Sequence, residues 1–187
     1  MLTHEESIPT LQDISPEQRV LVDRGTWKTF FLCGYGYWIQ ENCARCPETA
    51  RVLRKIPQLT MAFFSVLAPR THIPAHRGPY NGVLRYHLGL MVPQPPTSCR
   101  IRVEDEVRSW REGESLIFDD SYLHEVWNDS DSYRVVLFVD FLRPLPLPLS
   151  WLNRLLIWRI SKLPFITEAV NRARNTLSAA NSDAAHV

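Results

Sequence analysis

Charge of one sign is missing from this 187-residue sequence: 21 lysines and arginines stand against 20 aspartates and glutamates, a formal net charge of +1. A chain so balanced has no overall field to draw it onto nucleic acid as its main business. Long hydrophobic runs are also absent. None reaches the ~18 apolar residues of a membrane span, and the longest candidate, Trp151 to Ile160, is interrupted by Arg154 and Arg159. Cysteine is scarce: four in a chain of this size make no disulfide framework. Cys43 and Cys46 form one C-x-x-C, but Cys33 and Cys99 do not supply the second ligand pair of a structural zinc site, so buried or half-buried free thiols are expected. The first residues lack the basic and then apolar blocks of a secretory signal, which together with the cysteine usage leads to the expectation of reducing, cytoplasmic surroundings.

What is present suffices for one well-filled domain, with 45% hydrophobic and 22% charged residues. Residues 1–24 read as an N-terminal arm, 25–145 as the folded domain and 146–187 as an amphipathic helical tail. WKTFFLCGYGYWIQ, starting at Trp27, fits a strand and turn. CPETARVLRKIP fits a short helix with Pro47 in its first turn and Pro57 as its stop. From Leu59 to Leu142 short β-type runs alternate with turn segments: MAFFSVLAP, VLRYHLGLMVP, CRIRVED, GESLIFDD, HEVWN and YRVVLFVDFL, parted by RGPYNG, PQPPTS, EVRSWRE and NDSDS. These six runs and the Trp27 strand approach the eight strands of a jelly roll, whose interior holds a small ligand. An immunoglobulin-like sandwich is the alternative. PLPLPL then ends the barrel, and SWLNRLLIWRISKL reads as a helix, docked on the barrel or a second subunit, or lying on a membrane surface as a basic amphipathic helix. From Ala173 onward the chain is expected to fray.

Strand alternation places Arg85, His87 and Gly89 on one face of VLRYHLGLMV, and Arg134, Val136, Phe138 and Asp140 on one face of YRVVLFVDF. One such face would mean only a wet surface. Repeated, it suggests an interior where two arginines meet an acid with two carboxylates, with Ser65 among apolar neighbours. Four of the six histidines, at 72, 76, 87 and 124, crowd into one stretch. His76 and His124 each adjoin a turn-rich segment, one before and one after the central hairpins, as in the iron sites of non-haem oxygenases. The acid that would complete a facial triad is absent, because position 78 is glycine. Asp119 and Asp120 are read as orienting a histidine or bracing a loop, His72 as exposed, and Trp27, Tyr35 and Trp38 as core.

HRGPYNGVLRYHLGLMVP, the stretch from Cys99 to Asp140 with its FDDSYLHEVW, and GYWIQENCARCPET together resemble the aspartyl/asparaginyl β-hydroxylase family over about residues 25 to 145. The resemblance implies a mainly β fold, a double-stranded β-helix (cupin-like jelly roll) with a few flanking helices. It implies Fe(II), 2-oxoglutarate as cosubstrate and O2. It implies iron ligation by His76 and His124, with Arg85 and His87 near one carboxylate of 2-oxoglutarate and Arg134 and Ser65 at the other. Gly78 is a trait of the family's peptidyl hydroxylases, where water replaces the missing acid. RYHLGL and the basic apolar tail resemble the lipid A acyl-chain hydroxylases instead. The expectation is hydroxylation of an unactivated carbon, the β-carbon of Asp or Asn in a peptide or protein. A lipid or acyl-chain hydroxylase is the alternative, and a non-catalytic barrel that binds a small acid is the rival. No nucleic acid partner is expected; peripheral membrane contact or a homodimer through the C-terminal helix is.

Overall fold

In the computed structural model, residues 25–164 are described, together with Ile166, Glu168 and Asn171; the expected arm at 1–24 and the fraying end lie outside the described residues. Among the described residues, ten strands are arranged in two sheets. In chain order they are β1 (Trp27–Gly34), β2 (Tyr37–Trp38), β3 (Leu59–Leu67), β4 (Thr71–His76), β5 (Val83–Met91), β6 (Cys99–Val103), β7 (Glu106–Ser109), β8 (Ser115–Phe118), β9 (His124–Asn128) and β10 (Arg134–Leu142). The larger sheet has the order β2-β1-β3-β10-β5-β8 and the smaller β4-β9-β6-β7. Strands β3 to β10 supply four to each sheet, the eight of a jelly roll. The Trp27 strand, expected to be one of the eight, instead extends the larger sheet at its edge.

Two strands were not legible. β4 carries Pro74, and a proline argues against a strand unless it is an edge strand; among the described residues β4 pairs only with β9 and is one. β7 falls in EVRSWRE, taken for a connection, because Glu106, Val107 and Arg108 are all exposed and show no apolar alternation. It is the opposite edge of the smaller sheet, and charge there discourages pairing with another chain.

The larger sheet is apolar on both faces. Phe30, Leu32, Ala62, Phe64 and Val139 point outward and pack under two helices, α1 (Gln40–Arg45) and α2 (Pro47–Leu53). Pro47 opens α2, Glu48 stands at its positive end and Arg51 at its negative end. Fully buried Leu53 locks it down, and truncation there to alanine would cost about 2–5 kcal/mol. Between the sheets lie Leu67, Ile73, Val92, Cys99, Ile101, Trp110, Val126 and Val136. All four cysteines are free; Cys33, Cys43 and Cys99 are buried, and burial pushes the Cys33 thiol up to about 11. A third helix, α3 (Leu149–Ile160), follows the proline segment.

Candidate metal and acid-binding site

The two turn-flanked histidines are cross-strand partners. β4 and β9 run antiparallel with His76 opposite His124, and their ring centroids are 4.2 Å apart. Each ring is oriented by its own chain: Nδ1 of His76 lies 2.8 Å from the Pro74 carbonyl and Nδ1 of His124 lies 3.0 Å from the Tyr122 carbonyl. A carbonyl only accepts, so Nδ1 carries the proton in both and each Nε2 presents a lone pair. Burial lowers both pKa values, that of His124 to about 4, which keeps the rings neutral. This is the donor chemistry a borderline divalent metal takes, with Nδ1–H anchored to fix the ring. Among the described residues no group of three His, Cys, Asp or Glu closes a metal site, so the two imidazoles would leave the other positions to solvent and ligand.

Position 78 explains the missing acid. A Cβ built on Gly78 would lie 2.2 Å from Asp120 Oδ2, and the Gly78 amide donates to the Asp120 carbonyl at 2.7 Å. The Asp120 carboxylate thus fills the space a side chain at 78 would need. Its Oδ2 pairs with Arg85 at 2.9 Å, while Oδ1 is buried with no partner. Asp119 is the loop brace: its Oδ1 accepts from the Ser121 amide and hydroxyl, and its Oδ2 pairs with Arg143.

Alternation puts Ser65, His87 and Arg134 inside the barrel, all buried. Ser65 and Val136 are cross-strand neighbours, as are His87 and Phe138. Trp27 Nε1–H donates to Ser65 Oγ at 2.9 Å, Arg134 Nη1 reaches the same oxygen at 3.4 Å, and the Arg134 guanidinium lies over Trp110 at 4.6 Å. Trp110 Nε1–H in turn donates to His87 Nδ1 at 3.3 Å. His87 therefore carries its proton on Nε2, a buried donor without a partner. Burial, then Arg134, Arg85 and His124, hold it neutral, with its pKa well below the usual value.

The two interior arginines differ in one respect. Arg85 reaches Asp140 through Nε and Nη2, both at 3.0 Å, pairs with Asp120, and stacks over Phe138 at 4.3 Å. Burial opposes its charge, and the two carboxylates outweigh burial. The Arg85 fork, expected near one carboxylate of a bound acid, is thus already paired with two carboxylates of the protein itself. Arg134 has no carboxylate partner among the described residues. Its Nε is unpartnered, burial lowers its pKa, and Cys99, Ser65 and the face of Trp110 offset that burial in part. A buried cation left this way calls for an anion. The orphaned donors on Arg134 and His87, with the two Nε2 lone pairs and Asp120 Oδ1, fit an acid bound beside a hydrated metal.

His72, expected to be exposed, is three-quarters covered. Its Nε2 meets Glu125 Oε1 at 2.8 Å on the outer face of the smaller sheet, and the ring stacks on Trp127. Trp27, read as core, turned out to hold Ser65. Trp110 and Asp140 carried no signal of their own, since a tryptophan in a charged segment and an acid in an apolar strand acquire meaning only from what the opposite strand brings. A cavity of about 1020 Å³ lies elsewhere, on the outer face of the larger sheet between Leu53, Phe64, Tyr86 and Leu137.

Residues 1–144 match the family model described as aspartyl/asparaginyl beta-hydroxylase. The chain is 48% identical over 171 residues, 91% of its length, to the ornithine lipid ester-linked acyl 2-hydroxylase of Rhizobium tropici, and spans 61% of that protein. It is 40% identical over 134 residues, 69% of its length, to the aspartyl/asparaginyl beta-hydroxylase of Homo sapiens, of which it spans 17%. A human aspartate beta-hydroxylase domain-containing protein 2 is 39% identical over 129 residues, 64% of this chain and 34% of that protein.

Proposed function

The chain belongs to the aspartyl/asparaginyl β-hydroxylase family, and from that premise we propose that it is an Fe(II)- and 2-oxoglutarate-dependent dioxygenase that hydroxylates a lipid acyl chain. The observation that carries the dioxygenase reading is the buried Arg134 guanidinium, without a carboxylate partner among the described residues, inside the barrel whose strands also bring the His76 and His124 rings within 4.2 Å of each other. When bound, the metal and 2-oxoglutarate supply the oxidising power: one atom of O2 enters the C–H bond, the other enters succinate, and CO2 leaves.

The protein's part is placement. His76 and His124 hold the metal through Nε2, their Nδ1 protons fixed on carbonyl oxygens. Arg134 takes the far carboxylate of the cosubstrate by a charge-assisted bond, with Ser65 adding a hydroxyl that Trp27 orients. His87 donates from Nε2 toward the cosubstrate. Arg85 acts at one remove, fixing the Asp120 carboxylate by an ion pair through Oδ2, which would leave the buried Oδ1 as an acceptor for a bound group. Phe118 and Phe138, both against His87, keep bulk water from this end of the barrel.

Two substrate readings share one piece of chemistry. The β-carbon of an aspartyl side chain and C2 of an acyl chain are both methylenes next to a carboxyl-level carbon, so the same oxidant serves either. The lipid reading is favoured by the extent of the similarity to the Rhizobium tropici protein: 91% coverage of this chain leaves too few residues outside for α3 to be missed. The peptide reading, in which Asp or Asn is the target, is supported by the human relative and by Gly78.

Anaerobic titration with Fe(II) and 2-oxoglutarate tests the cofactor reading: a metal-to-ligand charge-transfer band is expected, and its absence sinks the dioxygenase. Succinate release is then compared with an ester-linked acyl lipid and with an Asp- and Asn-containing peptide, the product being heavier by one oxygen atom. Turnover of the peptide and not the lipid would reverse the substrate assignment while leaving the cofactor reading intact.

A further inference from the structure

A helix that stabilises its own barrel buries its apolar stripe, and α3 does the reverse. Its one buried residue is Asn153, whose amide donates to the Gly82 carbonyl at 2.7 Å and accepts from the Tyr80 hydroxyl. Gly82 permits this approach, since a Cβ there would lie 2.4 Å from Asn153 Oδ1. On the outward side Trp151 and Trp158, two turns apart, are 67% and 55% exposed, with Leu152, Leu155 and Leu156 beside them at 58%, 50% and 45%. A soluble surface rarely leaves so many large apolar side chains contiguous and bare.

The charge around this face has one sign. From residue 141 to residue 167 the sequence holds Arg143, Arg154, Arg159 and Lys162 and no acid. Arg143 is taken by Asp119. The other three lie on or just after α3, long enough for their stems to run along an apolar layer while their heads reach phosphate. Tryptophans flanked by basic residues suit the boundary between headgroups and acyl chains. No helix among the described residues is long and apolar enough to cross a membrane, so a helix of this kind lies in the interface. Pairing with a second copy fits less well, because it would bring Arg154, Arg159 and Lys162 towards their own counterparts with no acid on the helix to offset them.

We propose that α3 is a membrane-docking surface, its outward apolar face and three cations seated in the interface of an anionic phospholipid bilayer. The anchor makes docking relevant to the site. Tyr80 and Gly82 belong to the segment that follows His76, and a cavity of about 810 Å³ opens between α3 and the loops bearing Arg77, Asp119 and Tyr122, of which Asp119 and Tyr122 lie in the segment leading into His124. Exposed Tyr122 continues the face towards the barrel mouth. Docking would therefore hold the two histidine strands beside the lipid surface. This inference stands on the helix and not on the substrate reading, and its test needs neither metal nor cosubstrate.

The full chain is to be sedimented with vesicles of phosphatidylcholine alone and of phosphatidylcholine with phosphatidylglycerol at about one part in three. Binding to the mixed vesicles is expected, weaker to phosphatidylcholine alone and reduced by salt. W151S/W158S should lower the partition coefficient at least about tenfold, and R154Q/R159Q/K162Q should abolish the preference for the anionic vesicles. L152Q/L155Q repeats the first test without tryptophan. Thermal melts matching the parent are expected for all three, since every substituted side chain is exposed. No binding by the parent chain, or undiminished binding by both apolar variants, overturns the proposal. So does a concentration-dependent dimer that ignores vesicles and dissociates in W151S/W158S, which would give the face to a second copy.

Discussion

Replacing Arg134 with methionine removes a buried charge while keeping an unbranched apolar stem out to the position of Nε. In the absence of ligand the parent loses little by it. Arg134 makes one long hydrogen bond to Ser65 at 3.4 Å and one to the Cys99 thiol, each worth about 1 kcal/mol, and a stacking contact over Trp110 at 4.6 Å worth about as much. Against those roughly 3 kcal/mol stands the cost of holding a guanidinium, 2% exposed, without a carboxylate partner; that penalty is several kcal/mol per ion even after relaxation. The ligand-free Arg134→Met protein should melt at or above the parent temperature, with each kcal/mol moving the midpoint about 2–4 °C. The ligand response should go the other way. At a 2-oxoglutarate concentration near 100 times Kd the metal-loaded parent gains about 2.7 kcal/mol, and the variant should gain none. Differential scanning calorimetry with and without 2-oxoglutarate reads both effects. A variant that melts far below the parent yet keeps the full ligand-induced shift would show that Arg134 is a structural cation and that the acid binds elsewhere.

Gly78→Ala forces its methyl against an Asp120 carboxylate already held by Arg85 at 2.9 Å, so it should cost about 1–3 kcal/mol and weaken Mn(II) binding, measured by calorimetry, about 10- to 100-fold; unchanged affinity would detach Asp120 from the metal side. The metal-free protein should lose stability on acidification between pH 6.5 and about 4. The pKa of His124 is lowered in the fold, so the unfolded chain binds the extra proton first and stability falls as pH drops, by up to about 3 kcal/mol from this residue. His76 is shifted in the same direction and adds to the slope. His124→Gln should flatten the urea-denaturation profile across that window, and a profile as steep as the parent's would assign the acid sensitivity to other groups.

Much of the site was legible because strand geometry is regular. A period of two placed Arg134 with Val136, Phe138 and Asp140, and Arg85 with His87, and all of them do line the interior. The histidine pair was visible as a pair, though only the β4–β9 register put the rings opposite one another. Charge pairing was not legible. Arg85 and Arg134 look alike in sequence, each on an apolar strand, and the difference between them comes from Asp120 and Asp140, 35 and 55 residues along the chain from Arg85. Asn153 is a similar case. An amphipathic pattern says that a helix has an apolar face, and the buried hydrogen bond to the Gly82 carbonyl decides that this face points away from the barrel.

The sequence by itself determined the jelly roll, the interior positions and the candidate ligands, because side-chain direction along a strand and the conformational limits of proline and glycine are local properties. Tertiary structure alone decided which arginine is neutralised, why no side chain fits at position 78, and which side of α3 meets solvent. Those outcomes depend on the distance between groups far apart in the chain, and burial turns a few ångströms of such distance into several kcal/mol.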